Sequence, residues 1–156
     1  MTTKQSDSSL EPSESVLVFW DISSEPLEGM LAGGRQAVLT EQMGALVTFD
    51  GVVRNHDHGC PVAGLSYSAH PQAKEYLEQV LRSVLLDCAG VRLWAVHRVG
   101  PLAIGESALT VLAAAAHREQ AFKACQLAAD RIKAQVPIWK EQQLADGSLE
   151  WVGLDS

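Results

Sequence analysis

The sequence predicts an α+β fold in which a largely antiparallel sheet packs against helices. Strand-like segments alternate with two amphipathic helices in the order strands, helix, strands, helix, strands. Hairpin-like turns join several neighbouring strands, and such short connections suit antiparallel pairs. Both observations favour α+β over a doubly wound fold, in which helices separate parallel strands.

The first half of the chain contains three predicted strands. Residues 16–20 are a short apolar run, residues 44–54 (GALVTFDGVVR) are rich in β-branched and aromatic residues, and residues 62–69 resume strand character. Gly51 marks either a bulge in the second of these strands or a close approach of another group to its backbone. Between the first two, residues 26–42 predict a helix interrupted near Gly33-Gly34. Residues 55–61 (NHDHGCP) predict a loop.

Two amphipathic helices dominate the second half. Pro71 opens the first, whose apolar face comprises Ala73, Leu77, Val80, Val84 and Cys88. The second covers residues 117–136 and is stopped by Pro137. Its predicted apolar stripe comprises Phe122, Cys125, Ala129, Ile132 and Val136, beside a slim face of Ala121, Ala124 and Ala128.

Further strands accompany these helices. Residues 91–99 and 106–115 predict strands joined by a turn at Gly100-Pro101. Residues 138–142 leave the second helix as an extended segment. Gly147 predicts a turn, and residues 150–152 a last short strand.

Composition restricts the class of protein. A length of 156 residues with 47% hydrophobic and 20% charged residues predicts one globular domain over residues 16–156, preceded by a polar, disordered tail over residues 1–15 without the features of a secretory signal. The net charge of -7 argues against nucleic-acid binding, and no apolar run could span a bilayer. Three widely spaced cysteines without a CxxC pair indicate a reducing cytoplasm.

Basic residues at the ends of elements are the candidate functional groups. Arg54 ends a strand, where a guanidinium suits phosphate or carboxylate. His117 and Arg118 begin a helix, whose free N–H groups also favour an anion. For each, an ordinary role is the alternative: a solvated arginine, or a histidine that caps the helix.

Two lysines flank the helix-ending proline in KAQVPIWK. Lys133 lies in the last helical turn, where the helix dipole alone favours a cation. The bend at Pro137 could fold Lys140 back toward Lys133, and two ammonium groups held close would make one a better nucleophile or base. The spacing of the two lysines does not by itself establish a catalytic pair.

Histidines offer a competing prediction. His56 and His58 form an HxH pair in a loop, and with His70 they could serve a metal-dependent hydrolase. No carboxylate or cysteine cluster completes such a site by spacing, so we expect no metal. His97 lies in an apolar strand and is expected to be a core or interface histidine.

Four blocks resemble one family. FDGVVRNH, HRVGPLAIGE, AHREQAFKAC and IKAQVPIWKEQ resemble, in order, the large subunit of molybdopterin synthase, over residues 44–152. This resemblance implies an α/β hammerhead-like fold and a sulfurtransferase that converts cyclic pyranopterin monophosphate (precursor Z) to molybdopterin. It implies a small ubiquitin-like partner whose C-terminal Gly-Gly thiocarboxylate supplies both dithiolene sulfurs, and a central homodimer within a heterotetramer. No cofactor is implied.

The resemblance also assigns residues. It implies catalytic roles for Lys133 and Lys140, either in stabilising developing charge or, for Lys133, in a transient covalent link to the partner's terminal carbonyl. Substrate-contacting positions are implied at Val52, Val53, Arg54, His117, Arg118, Lys133, Lys140, Glu141 and Gln142. We expect these groups to converge on one pocket, with a dimer interface as one route. A paralogue that binds the ubiquitin-like tail only as a scaffold is the non-enzymatic alternative.

Overall fold

The computed structural model describes residues 14–57, 60–144 and 146–152. A 3-10 turn at Glu28–Met30 precedes the first helix. The helices are α1 (Leu31–Val38), α2 (Ala73–Asp87) and α3 (Arg118–Gln135). The strands are β1 (Val16–Ser23), β2 (Ala45–Val52), β3 (His56–Asp57), β4 (Cys60–Ala69), β5 (Val91–Arg98), β6 (Gly100–Leu102), β7 (Ser107–Ala115), β8 (Ile138–Leu144) and β9 (Leu149–Val152).

The first sheet has the strand order β1-β5-β7-β2. β1 runs parallel to β5, whereas β5–β7 and β7–β2 are antiparallel. The register of β2 against β7 shifts between Gly51 and Val52, which confirms the predicted bulge. The predicted α+β class with mainly antiparallel pairing is therefore confirmed, with one parallel pair that local sequence patterns do not show.

Helices cover both faces of this sheet. One face of β5 and β7 packs against α2 and α3, through residues such as Leu93 and Val111. The other packs against the 3-10 turn and α1, through Trp94 and Leu112. Every residue of β7 is buried, because each face of the strand meets a helical layer.

A second sheet forms at the end of the first sheet where β5 ends and β7 begins. Its order is β3-β4-β8-β9, and β6 also pairs with β4. Two loop predictions were wrong here: residues 55–61 contain the β3–β4 pairing, and Gly100-Pro101 belongs to β6. Both short strands depend on non-local pairing with β4, which turn-like composition cannot reveal.

The predicted interruption of the first helix near Gly33-Gly34 was also wrong. α1 runs unbroken through both glycines. A Cβ built on Gly34 would lie 2.8 Å from Leu112 Cδ1 and 2.8 Å from Trp94 Cε2. Gly34 therefore allows α1 to approach the sheet closely, and it does not break the helix.

We expect Gly34→Ala to lower the free energy of unfolding by about 1–3 kcal/mol, because the added methyl group overpacks the contact with Trp94 and Leu112. Gly33→Ala is the matched control, since a Cβ there meets nothing within 4 Å. That control should be neutral or stabilising by up to about 1 kcal/mol, because alanine favours the helix. Urea denaturation of both variants checks this, and equal effects would contradict the close approach.

The apolar stripe predicted for α3 was partly wrong. Phe122 is 60% exposed, whereas Ala121, Ala124 and Ala128 are fully buried. The short alanine side chains allow α3 to lie close against the sheet. This close packing decides which face of the helix is buried, although burial of a phenylalanine side chain would contribute a larger transfer free energy.

Ser15, the last residue of the predicted tail, is hydrogen-bonded to the folded domain. Residues 1–13 of the predicted tail lie outside the described residues. Ser15, which was assigned to the tail, donates from Oγ to the Cys88 carbonyl at 3.3 Å and accepts from the Gly90 N–H at 2.9 Å. These bonds tie Ser15 to the α2–β5 connection.

Candidate functional site

The direction of α3 decides which candidate residues can meet. Cys125 Sγ, in the middle of α3, donates to the carbonyl of Val111, in the middle of β7. β7 ends at Ala115 and α3 begins shortly afterwards at Arg118, so the start of α3 lies beside the end of β7. α3 therefore runs back along the sheet, and its C-terminus lies level with the start of β7 and the end of β2.

His117 and Arg118 consequently lie far from Lys133. Lys133 follows Arg118 by 15 residues in one continuous helix. This separation corresponds to about 22 Å along the helix axis. The expected convergence of all the basic residues does not occur within one chain. The structure places them at opposite ends of α3.

Arg54 lies at the same end as Lys133. β2 ends at Val52, which pairs with Ser107 at the start of β7. Val53 follows and is 5% exposed, packed with Leu102 and Ala108. The Val53 N–H donates to the Glu106 carbonyl at 3.0 Å, and its carbonyl accepts from the Gly105 N–H at 2.7 Å.

The three residues of this segment therefore have different surroundings. The Val53 side chain is in the core and its backbone groups are already hydrogen-bonded, so it anchors the segment and offers little to a ligand. Arg54 is exposed immediately after this anchor, and the Val52 side chain is 53% exposed.

Lys140 approaches the same end from the second sheet. It is half-buried and pairs with Tyr67 of β4. The Tyr67 ring packs against the cluster of Val53, Leu102 and Ala108. Directly paired residues share a face of a sheet, so Lys140 lies on the face that looks toward Val53 and the base of Arg54.

Strand alternation separates Glu141 from Gln142. Gln142 shares the face of Lys140, is 1% exposed, and donates from Nε2 to Glu150 Oε1 at 2.8 Å. Glu141 lies on the opposite face, paired with Trp151. The predicted contact pair is therefore split: Gln142 lies buried on the face of Lys140, and Glu141 lies on the opposite face.

Pro137 makes the connection between the two lysines. Val136 ends α3 with an N–H bond to the Ile132 carbonyl at 3.0 Å. The Pro137 carbonyl then accepts from the His70 N–H at 3.0 Å, which joins the chain to the end of β4. As predicted, Lys133 lies in the last helical turn and Lys140 on the extended segment. We call Arg54, Lys133 and Lys140 the basic end of the sheet.

His117 and Arg118 form a separate exposed pair at the other end of α3. His117 is the N-cap residue, with an extended backbone and no capping hydrogen bond from its side chain. The alternative that His117 caps the helix therefore holds for its backbone, whose carbonyl accepts from the Ala121 N–H at 3.3 Å, and not for its side chain. Both side chains are exposed beside the first N–H groups of the helix, a suitable position for an anion.

The histidines differ in their surroundings. The His70 Nδ1 accepts from the Gln72 N–H at 3.0 Å and so caps the turn before α2. His58 lies outside the described residues, as does the side chain of His56. Within the described part of the chain, no three His, Cys, Asp or Glu residues could hold a metal ion together.

His97 is a core histidine, as predicted. It is 8% exposed, its Nδ1 donates to the Arg98 carbonyl at 2.8 Å, and its ring meets Tyr67 edge-on with centroids 4.9 Å apart. Burial lowers its pKa from 6.5 to about 4, partly offset by the bond to the Arg98 carbonyl. The neutral imidazole ring therefore packs against Tyr67, which is the strand partner of Lys140.

This pKa predicts a dependence of stability on pH. Below pH 6.5 the unfolded chain binds a proton at His97 that the folded chain does not bind until about pH 4. The free energy of unfolding should therefore fall across this window as the pH falls, by about 3 kcal/mol from this residue. Urea denaturation at pH 7 and 4.5 checks this, and an unchanged pH dependence in His97→Gln would contradict it.

Sequence reasoning missed two charged residues near the basic end. Arg98 is 8% exposed at the end of β5, and Glu106 precedes β7. Both lie in the block HRVGPLAIGE. A charged residue at the end of an otherwise apolar strand was the available signal, since buried charges require partners.

Comparisons with known proteins identify the family of this chain. The sequence model described as MoaE protein matches residues 24–135. The molybdopterin synthase catalytic subunit of Staphylococcus carnosus is 36% identical over 86% of this chain and 88% of that protein. Molybdopterin synthase catalytic subunit 1 of Mycobacterium tuberculosis is 38% identical over 75% of this chain and 80% of that protein.

Solved structures give the same result. Molybdopterin synthase from Staphylococcus aureus matches with a TM-score of 0.76 and 32% identity, over 92% of this chain and 98% of that one. The MoaE protein of Burkholderia ambifaria matches with a TM-score of 0.70 and 27% identity, over 90% of this chain and 91% of that one. On the family match and these identities, the chain belongs to the MoaE protein family.

Proposed function

We propose that this chain is the catalytic subunit of a molybdopterin synthase, a sulfurtransferase that converts precursor Z to molybdopterin. Its substrate is an anionic pterin phosphate, and the sulfur arrives as the C-terminal thiocarboxylate of a small ubiquitin-like carrier. The observation that carries the proposal is the basic end: Arg54, Lys133 and Lys140 come from three separate motifs to one end of the sheet. Three cations there suit a phosphate and a thiocarboxylate.

The two thiols that the structure describes are poorly suited to carrying the sulfur. Cys88 and Cys125 are free and buried. Burial raises the pKa of Cys125 to about 11 and also raises the pKa of Cys88. Because the thiolate is the nucleophile, neither buried thiol is activated. This supports an external sulfur donor, and free thiols suit the reducing cytoplasm that we propose as its location.

The proposed chemistry assigns a task to each group. The thiocarboxylate sulfur forms a bond to a carbon of the pterin side chain, and the oxygen leaving that carbon takes its bonding electron pair. Water then cleaves the acyl–sulfur bond and returns the carrier as a carboxylate. Lys133 and Lys140 stabilise the negative charge on the leaving oxygen and on the acyl intermediate, and Arg54 holds the phosphate. The reaction needs no resident cofactor or metal.

A second copy of the chain completes the site in this proposal. His117 and Arg118 are about 22 Å from Lys133 along α3, which exceeds the reach of one small pterin. Their exposed position suits contact with a ligand held by another copy, in a homodimer with one carrier at each outer end. In a symmetric pair the contact is reciprocal, so each copy would lend His117 and Arg118 to its partner.

Product formation with two forms of the carrier tests this function. Precursor Z, this chain and a small partner ending in a Gly-Gly thiocarboxylate should give dithiolene product, detected after oxidation to a fluorescent pterin. The same partner ending in an ordinary carboxylate is the matched control and should give none. Binding of both partners without product from either would instead favour a scaffold.

A further inference from the structure

Arg98 is a buried cation that the proposed chemistry does not use. Its side chain is 10% exposed, and its Nη1 lies 3.7 Å from Glu106 Oε2. Its Nη2 donates to the Pro101 carbonyl at 3.4 Å, whereas Nε and Nη1 make no hydrogen bond. Burying a guanidinium is costly and rarely adds stability, so its position calls for another explanation.

Glu106 links this cation to the loop between β6 and β7. Its Oε1 accepts from the Ala103 N–H at 2.7 Å, and its own N–H donates to the Ala103 carbonyl at 3.1 Å. The next residue, Ser107, donates its N–H to Glu28 Oε2 at 2.7 Å. Two carboxylates therefore fix the loop, and the Arg98 side chain contacts it through Glu106.

The same loop holds the residue before Arg54. The Gly105 N–H donates to the Val53 carbonyl at 2.7 Å, and the Glu106 carbonyl accepts from the Val53 N–H at 3.0 Å. Gly105 has φ +91°, a left-handed conformation that only glycine adopts without strain. Both backbone groups of Val53 are thus bound by consecutive loop residues, which sets the direction in which the chain enters Arg54.

We propose that Arg98 and Glu106 form a positioning pair, which orients Arg54 toward the substrate through the loop of residues 103–106 and Val53. This inference rests on the proposed function, in which Arg54 holds the phosphate of precursor Z. Neither member of the pair touches the substrate. Their part is to limit where the Arg54 guanidinium can be, because a misplacement of about 1 Å can cost about 100-fold in rate.

Glu106→Gln is the first test, because it retains an oxygen for the Ala103 N–H and removes the charge that faces Arg98. We expect kcat/KM for precursor Z to fall about 10-fold or more, mainly through KM. The variant is then made in an Arg54→Ala background. If the pair acts through Arg54, it should cause little further loss there, since coupled residues are not additive. An undiminished loss in that background would overturn the proposal.

A pair of glycine variants separates positioning from general strain. Gly105 and Gly147 both have φ +91°, and an added Cβ at either would meet nothing within 4 Å. Alanine therefore strains both turns similarly, but only Gly105 contacts Val53. Gly105→Ala should raise KM for precursor Z at least 10-fold, and Gly147→Ala should leave it unchanged at a similar loss in Tm. Equal kinetics for the two would also overturn the proposal.

Amide hydrogen exchange supplies a readout that is independent of activity. The Val53 and Gly105 N–H groups should exchange at least 10-fold faster in Glu106→Gln and in Arg98→Lys than in the unmodified chain, because their loop loosens. Unchanged exchange would mean that the pair does not hold Val53. If the unmodified chain makes no product with a thiocarboxylated carrier, the proposed function fails, while the exchange result still decides whether the pair holds the segment.

Discussion

Replacing Lys133 by alanine should reduce product formation from precursor Z by about 10³-fold. Lys133 lies in the last turn of α3, at the end of the sheet where β2 also ends, and is the cation we assign to the charge that develops during sulfur transfer. Loss of one such electrostatic contact costs about 10²–10³-fold, and loss of a proton-transfer role a similar factor. Single-turnover assays with excess thiocarboxylated carrier measure the chemical step directly.

Lys123→Ala is the control for this variant. Lys123 is also an exposed lysine of α3, but its Nζ donates to the Asp87 carbonyl at 3.3 Å, on the α2 side of the helix. Its loss should leave the rate within about twofold, since exposed contacts of this kind contribute little. Similar losses in both variants would mean that charge on the helix, and not the position of Lys133, matters.

Two inactive variants should restore activity when they share a dimer. In a chain with Lys133→Ala, His117 and Arg118 are intact; in a chain with Arg118→Ala, Lys133 is intact. A mixed dimer then contains one complete site and one doubly defective site, if each site draws from both copies. Random pairing makes half of the dimers mixed, so coexpressed variants should recover about a quarter of the unmodified activity.

The separation of about 22 Å along α3 is the reason for this expectation. Each variant alone should remain at its low activity, and a chain carrying both substitutions should not complement itself. Coexpression that gives no recovery, with mixed dimers verified by two affinity tags, would place the whole site in one copy. The proposal that each copy lends His117 and Arg118 to its partner would then be wrong.

Local patterns in the sequence were sufficient for much of the fold. The periodic apolar face of α2 and the stop at Pro137 were confirmed, because both depend on residues near in sequence. The wrong predictions fall where residues distant in the sequence determine the local structure. Gly34 remains helical because Trp94 and Leu112 require a close approach, and Gly100-Pro101 is a strand because β4 pairs with it.

The sequence was likewise sufficient for one part of the candidate site and insufficient for the other. The motifs identified which residues carry charge, and the structure brings Arg54, Lys133 and Lys140 to one end of the sheet. It also separates Arg118 by the length of a helix and turns Glu141 to the other face of β8. Both outcomes follow from helix rise and strand alternation, once the direction of each element is known.

The arrangement of the site is tested most directly by a crystal structure of the chain with precursor Z and the carboxylate form of the carrier. We expect the phosphate of precursor Z within hydrogen-bond distance, about 2.7–3.2 Å, of Arg54 from one copy and of Arg118 from a second copy. Lys133 and Lys140 should lie between the pterin and the carrier's C-terminal glycine. Precursor Z bound elsewhere, or contacted by neither Arg54 nor Lys133, would contradict the account.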